Sequence, residues 1–187
     1  MSKQPAIFLD RDGVFMENRA NYVRCWEDVA FFPEALAALA RIRAVPYKII
    51  VVTNQSAVGR GIMSLATAVA LNQQILDEVR RANGRIDAAY LCPAPPGTND
   101  PCRKPRPGML LQAAEEHNLD LSQSYMIGDA LTDVMAGQAA GVKQAILLLT
   151  GRGVAQAQLP LAAELPPFAT FPTLAGALWH LFPEPTH

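Results

Sequence analysis

Residues 6–15, AIFLDRDGVF, begin as an uninterrupted apolar run and end in Asp10, Arg11, Asp12 and Gly13. An apolar run without polar alternation describes a strand covered on both faces, as in a parallel sheet. Such a strand closing on two carboxylates two residues apart is either a solvent-facing turn or part of a reacting site. Asp12 beside Gly13 is ordinary turn chemistry when taken alone. The rest of the chain has to decide.

Three more continuous runs, YKIIVVTN (47–54), SYMIGD (124–129) and QAILLLT (144–150), predict strands, and IDAAYLC (86–92) is a weaker fifth. Helical patterns lie between them. One opens on Pro33, suited to a first helical turn, and covers 33–44; the next starts at Ser64 as N-cap and places Ala68, Leu71, Ile75 and Val79 on one stripe. Residues 107–118 and 131–141 follow, the second closing on Gly141, and 173–182 predicts a last helix. Alternation at this spacing predicts an α/β fold, a doubly wound, Rossmann-like parallel sheet with helices on both faces. Residues 14–32 lack a clean period and predict a loop covering the end of the first strand. Residues 93–108 hold six prolines and can be neither helix nor central strand. The whole chain, 1–187, is read as one domain with these two cover segments.

Bulk properties narrow the function. Of 187 residues, 50% are hydrophobic and 18% charged, a globular composition, and the formal net charge of −1 leaves no footprint for nucleic acid or an anionic membrane. The apolar runs are strand-length, and no leader pattern opens the chain, so a cytoplasmic protein is expected. Cys25, Cys92 and Cys102 are too few for a secreted disulfide framework. Cys25 and Trp26 are expected to pack within the cover loop. The three histidines fit no metal or triad spacing, and G-x-S-x-G, G-x-G-x-x-G and the P-loop lysine motif are all missing, which speaks against serine hydrolases and nucleotide-binding modules. With no coiled coil or leftover apolar stripe, a monomer is expected.

Ligands of open parallel sheets bind beyond the carboxyl ends of the strands. At those positions stand Asp10 and Asp12, then Thr53, Asn54, Gln55 and Ser56, then Arg103 and Lys104, then Asp129, with Asp133 one turn later. Their chemistry suits phosphoryl transfer. Asp10 and Asp129 offer the hard oxygen ligands that Mg²⁺ prefers. A carboxylate can also be a nucleophile that forms an aspartyl-phosphate, with a second carboxyl moving the proton. Lysine and hydroxyl donors stabilise the phosphoryl oxygens.

DRDG after a strand, VVTN closing the next, RKP, and GDALTD after YMI resemble, in order and spacing, the four motifs of the haloacid dehalogenase superfamily of phosphatases. The resemblance runs from about Ala6 to Gly151. It implies Asp10 as nucleophile and Asp12 as general acid/base, with Mg²⁺ held by Asp10, Asp129 and the Asp12 backbone carbonyl. Thr53 and Lys104 would bind the phosphoryl group, and Asp133 would support them. Within the superfamily, NYV, VVTNQS, GRG, YLCP, CRKPRPGMLLQAA and SYMIGDALTD are similar to the heptose-1,7-bisphosphate 7-phosphatases and their histidinol-phosphate phosphatase relatives, which have short cover loops and no large cap domain. That similarity implies Asn54, Gln55, Ser56, Arg60 and Arg103 as substrate contacts, the arginines facing a second phosphate. The expected activity is an Mg²⁺-dependent phosphomonoesterase acting on a small sugar phosphate, first the heptose bisphosphate and second histidinol phosphate. A catalytically silent binding protein is the remaining alternative, disfavoured by the intact acidic set.

These relatives carry a structural zinc through a Cys-x-His and a Cys-x-Cys pair before the lysine motif. Here the positions read Cys92, Ala94, Asp100 and Cys102, one ligand short even if Asp100 is counted. The loop is expected to hold no zinc. A Cys92–Cys102 disulfide is disfavoured in a reducing compartment.

Overall fold

The computed structural model describes residues 3–183. Its centre is a six-stranded, all-parallel sheet of β1 (Ala6–Leu9), β2 (Lys48–Asn54), β3 (Ala88–Cys92), β4 (Tyr125–Gly128), β5 (Gln144–Leu148) and β6 (Ala169–Phe171), in the order β3-β2-β1-β4-β5-β6. The predicted doubly wound α/β sheet is the one observed. β6, only three residues long, carries too short a pattern to be recognised from sequence.

Alternate residues of β1 serve opposite layers, as a pleated strand requires. Ile7 and Leu9 face one core, with α1 (Pro33–Arg41), α3 (Leu65–Arg81) and α8 (Leu174–Leu181). Ala6 and Phe8 face the other, with α4 (Gly108–Glu116) and α5 (Leu131–Ala140). That explains why this strand is apolar throughout rather than alternating. Helix ends follow local chemistry. Ser64 Oγ accepts the Thr67 N–H at 3.0 Å, as an N-cap should, and Gly141 closes α5 in the left-handed conformation at φ 76°.

Residues 14–32 form an irregular cover whose Val14, Phe15 and Met16 are buried, with one turn of 3₁₀ helix at Trp26–Asp28. The expectation that Cys25 and Trp26 pack inside this cover is corrected. Cys25 is exposed and Trp26 is 41% exposed, because the apolar anchors of the segment are those three residues at its start together with Val23. Among the described residues, no helix is long and apolar enough to cross a membrane.

The direction of winding reverses between β1 and β4. From β1 the chain winds outward to β2 and β3, then returns to β4 and winds the other way to β5 and β6. A crevice opens where neighbouring strands send their connections in opposite directions, and Asp10 and Asp129 stand at that point. The start of β1 is tied down by Ser124, fully buried, whose Oγ accepts the Ala6 N–H at 2.8 Å and donates to the Asp120 carbonyl at 2.6 Å. Replacing it leaves the Ala6 N–H without this acceptor and the Asp120 carbonyl with only the Gln123 N–H at 3.2 Å. Ser124→Ala should lower the unfolding free energy by about 1–3 kcal/mol in urea titration while leaving the cleft chemistry intact.

Candidate active site

A cleft of about 460 Å³ lies over the C-terminal edge of β1, β2 and β4, walled by Asn18, Arg19 and Tyr22 of the cover on one side and by Ser56 and Arg103 on the other. At its floor Lys104 is buried, with all three ammonium donors used: Val52 O at 2.7 Å, Asp10 Oδ1 at 2.9 Å and Asp133 Oδ1 at 2.7 Å. Burial pulls this ammonium toward the neutral form. The two carboxylates beside it outweigh that and hold its pKa above the ordinary lysine value. Asp133 is pushed upward by burial and by the nearby Asp10 and Asp129 charges, with Lys104 opposing. Its other oxygen accepts the Ala130 N–H at 3.1 Å, so the same carboxylate caps α5.

Lysine reaches this position because the loop after β3 is pinned. The Asn54 side chain accepts the Lys104 N–H and donates to the Lys104 carbonyl, both at 3.1 Å. Arg103 donates to Ser56 Oγ at 2.9 Å and to the Ala94 carbonyl at 2.7 Å. The loop is further closed by a Cys92–Cys102 disulfide with Cα atoms 5.5 Å apart. This overturns the expectation that the pair stays unbonded. The fold sets the end of β3 beside the turn before Lys104, within the spacing a disulfide needs. Asp100, counted above as a spare ligand, accepts the Cys102 N–H at 2.9 Å and serves the turn.

Asp12 is separated from Asp10 by its partners. Arg11 forks onto its carboxylate, and Gln55 Nε2 donates to it at 3.3 Å while also reaching Thr53 Oγ1 at 2.9 Å. Thr53 is therefore buried behind Gln55 and does not line the cleft. Arg60 does not line it either. It is exposed on the turn after α2 (Ser56–Gly59), and the structure corrects its expected place at the substrate site because that turn carries it to solvent beside the cleft rather than into it.

Asp129 is fully buried under Arg152, which approaches Oδ1 through Nη2 at 3.1 Å and Oδ2 through its backbone N–H at 2.8 Å. Burial and the Asp10 charge raise its pKa, with Arg152 opposing. Gly13, at φ 82°, and Gly151, at φ 55°, leave room there. An added Cβ on either would overlap Asp129 Oδ2 and Asn18 Oδ1. Asn18 Oδ1 is buried and finds no donor among the described residues. Asp10, Asp129 and Asp133 offer ligand oxygens that all lie within 4.8 Å of one another. An all-oxygen set with an unpartnered amide oxygen alongside fits a hard cation such as Mg²⁺ and suits no soft one. Arg11, Asn18 and Arg152 were not singled out from sequence. Arg11 had one available signal, a cation between two carboxylates at a strand end.

The fold and site define a class, and comparison with known proteins narrows it. The HAD-hydrolase-like family model matches residues 101–177. The D-glycero-beta-D-manno-heptose-1,7-bisphosphate 7-phosphatase of Helicobacter pylori is 38% identical over 150 residues, covering 80% of this chain and 86% of that protein. Its Pseudomonas aeruginosa counterpart is 33% identical over 172 residues, covering 92% and 96%. The crystal structure of D,D-heptose 1,7-bisphosphate phosphatase from B. bronchiseptica, complexed with magnesium and phosphate, matches with a TM-score of 0.86 at 31% identity, covering 95% of this chain and 97% of that one. The chain belongs to the HAD-like hydrolase family and is a phosphatase of it.

Two measurements test this geometry. Lys104→Met leaves buried carboxylates without their cation and should destabilise the metal-free protein by about 3–5 kcal/mol, with part of the loss recovered when Asp133→Asn is added. Urea unfolding in EDTA reads both. Thiol titration of the unreduced, unfolded chain should count one free cysteine, Cys25, and three after reduction.

Proposed function

We propose that this phosphatase removes the 7-phosphate of a heptose 1,7-bisphosphate through an aspartyl-phosphate on Asp10, with Mg²⁺ as cofactor. The observation that carries the mechanism is the Lys104 ammonium 2.9 Å from Asp10 Oδ1, at a strand-end carboxylate facing the cleft. Support for the substrate comes from relatives bearing that name over nearly the whole chain and from the arginines at the rim.

In this mechanism an Asp10 oxygen attacks phosphorus and the bond to the sugar oxygen breaks. Asp12 gives its proton to the departing oxygen. Water then attacks the aspartyl-phosphate, Asp12 takes a proton from it, and phosphate leaves with the Asp10 carboxylate restored. Asp10, Asp129 and the Asp12 carbonyl would hold Mg²⁺, which would supply positive charge to the phosphoryl oxygens. Lys104, whose three donors are already engaged, meets the phosphoryl group as a fixed charge, and Asp133 keeps it in place. Thr53 acts through Gln55, which stands between it and the cleft. Asn54, Gln55, Ser56 and Arg103 face the substrate, and the near-neutral chain works as a cytoplasmic monomer.

Asp10→Asn should abolish turnover. Asp12→Asn should leave a phosphorylated chain detectable by acid quench and mass spectrometry. EDTA should remove activity and Mg²⁺ restore it. Across a panel including histidinol phosphate and simple sugar phosphates, kcat/KM for the heptose bisphosphate should lead by at least about 100-fold, well inside the roughly 10⁴–10⁵-fold available when a competitor leaves a polar subsite unpaired. Equal rates on all members overturn the substrate assignment and leave the phosphatase chemistry standing.

A further inference from the structure

Arg11 has no part in the steps above, yet among the described residues it is the largest side chain buried to this degree, at 1% exposure. Desolvating a guanidinium is costly unless its donors meet a carboxylate in good geometry. The carboxylate it meets is that of the next residue. Nε donates to Asp12 Oδ2 at 3.1 Å and Nη2 to Asp12 Oδ1 at 3.2 Å, a bidentate fork. Neighbouring side chains of a straight strand diverge. Here the chain turns at Gly13, where the Val14 and Phe15 N–H groups both approach the Arg11 carbonyl at 3.3 Å, and the turn lets the two side chains meet. The guanidinium is held in turn from α3, where Asn72, itself 7% exposed, accepts Nη1 at 3.3 Å. Gln55 Nε2 adds a further donor to Asp12 Oδ2, at 3.3 Å.

We propose that Arg11, steadied by Asn72, is a positioning residue that sets the Asp12 carboxyl where it can reach the leaving oxygen. A pair serving stability alone has no need of a carboxylate that also lines the cleft, and a hydrophobic substitute is commonly as stable as a buried ion pair. Aim matters because a general acid acts only within about 2.6–3.2 Å of the atom it protonates. A misplacement of about 1 Å costs on the order of a hundredfold. The inference rests on Asp12 being the acid/base.

Leaving-group dependence tests it. A nitrophenolate departs without a proton, whereas an alkoxide needs one. The kcat/KM of Mg²⁺-loaded parent, Asp12→Asn, Arg11→Met, Arg11→Lys and Asn72→Ala is measured on 4-nitrophenyl phosphate, phenyl phosphate and an alkyl phosphate. Asp12→Asn should lose far more on the alkyl ester than on the nitrophenyl ester. Arg11→Met should follow the same trend with at least about a tenfold difference between those two esters, a part of the 10²–10⁴-fold that general acid catalysis supplies. Asn72→Ala should follow it more weakly, and Arg11→Lys should recover part of the loss. If Asp12→Asn shows no such dependence, the acid/base reading falls and this inference with it. If Asp12→Asn shows it but Arg11→Met and Asn72→Ala lose activity equally on every ester, or lose none, Arg11 is structural and the inference alone is overturned. Should Arg11→Met fail to fold by circular dichroism, Arg11→Lys and Asn72→Ala decide by the same criterion.

Discussion

Three parts of the chain far apart in sequence meet at the nitrogen of Lys104: the end of β1 through Asp10, the end of β2 through the Val52 carbonyl, and the first turn of α5 through Asp133. A buried ammonium has to be surrounded by acceptors, and buried carboxylates need a cation, so each group makes the others tolerable away from water. This requirement explains much of the surrounding construction. The Asn54 clamp, the Cys92–Cys102 link and the Arg103 contacts all hold one loop, and that loop exists to deliver one side chain to the sheet edge.

The same logic distributes the remaining charge. Asp10 faces Lys104, Asp12 faces Arg11, and Asp129 faces Arg152, so two carboxylates only two residues apart live in different surroundings. Different surroundings allow different chemical roles, one as nucleophile and one as proton carrier. With Asp133 counted, three cations answer four carboxylates. The shortfall of positive charge lies where Asn18 Oδ1 is left without a donor, which is where a divalent cation and a phosphoryl dianion together would fit.

The interior of the fold was legible because strand burial on both faces writes itself into local composition. β1, β2, β4 and β5 were all predicted within a residue or two, as were the caps at Ser64 and Gly141. β6 was not, since three residues at a sheet edge carry too little apolar pattern. The small helices α6 (Gly153–Ala157) and α7 (Pro160–Glu164) escaped for the same reason. Cys25 and Trp26 were misjudged because residue type reports a tendency to be buried, while the cover loop had already met its need with other side chains.

By itself the amino-acid sequence determined the α/β sheet and the set of groups at its strand ends, because both follow from short-range pattern and from the rule that parallel strands bring their C-terminal ends together. Only the tertiary structure decided how those groups pair. It put Thr53 behind Gln55, turned Arg60 to solvent, laid Arg152 over Asp129, joined Cys92 to Cys102 and folded Arg11 back onto Asp12. Each of these depends on the direction of a side chain after a turn or on the meeting of residues far apart in the chain. Spacing along a sequence does not encode such directions. The packing of the loops does.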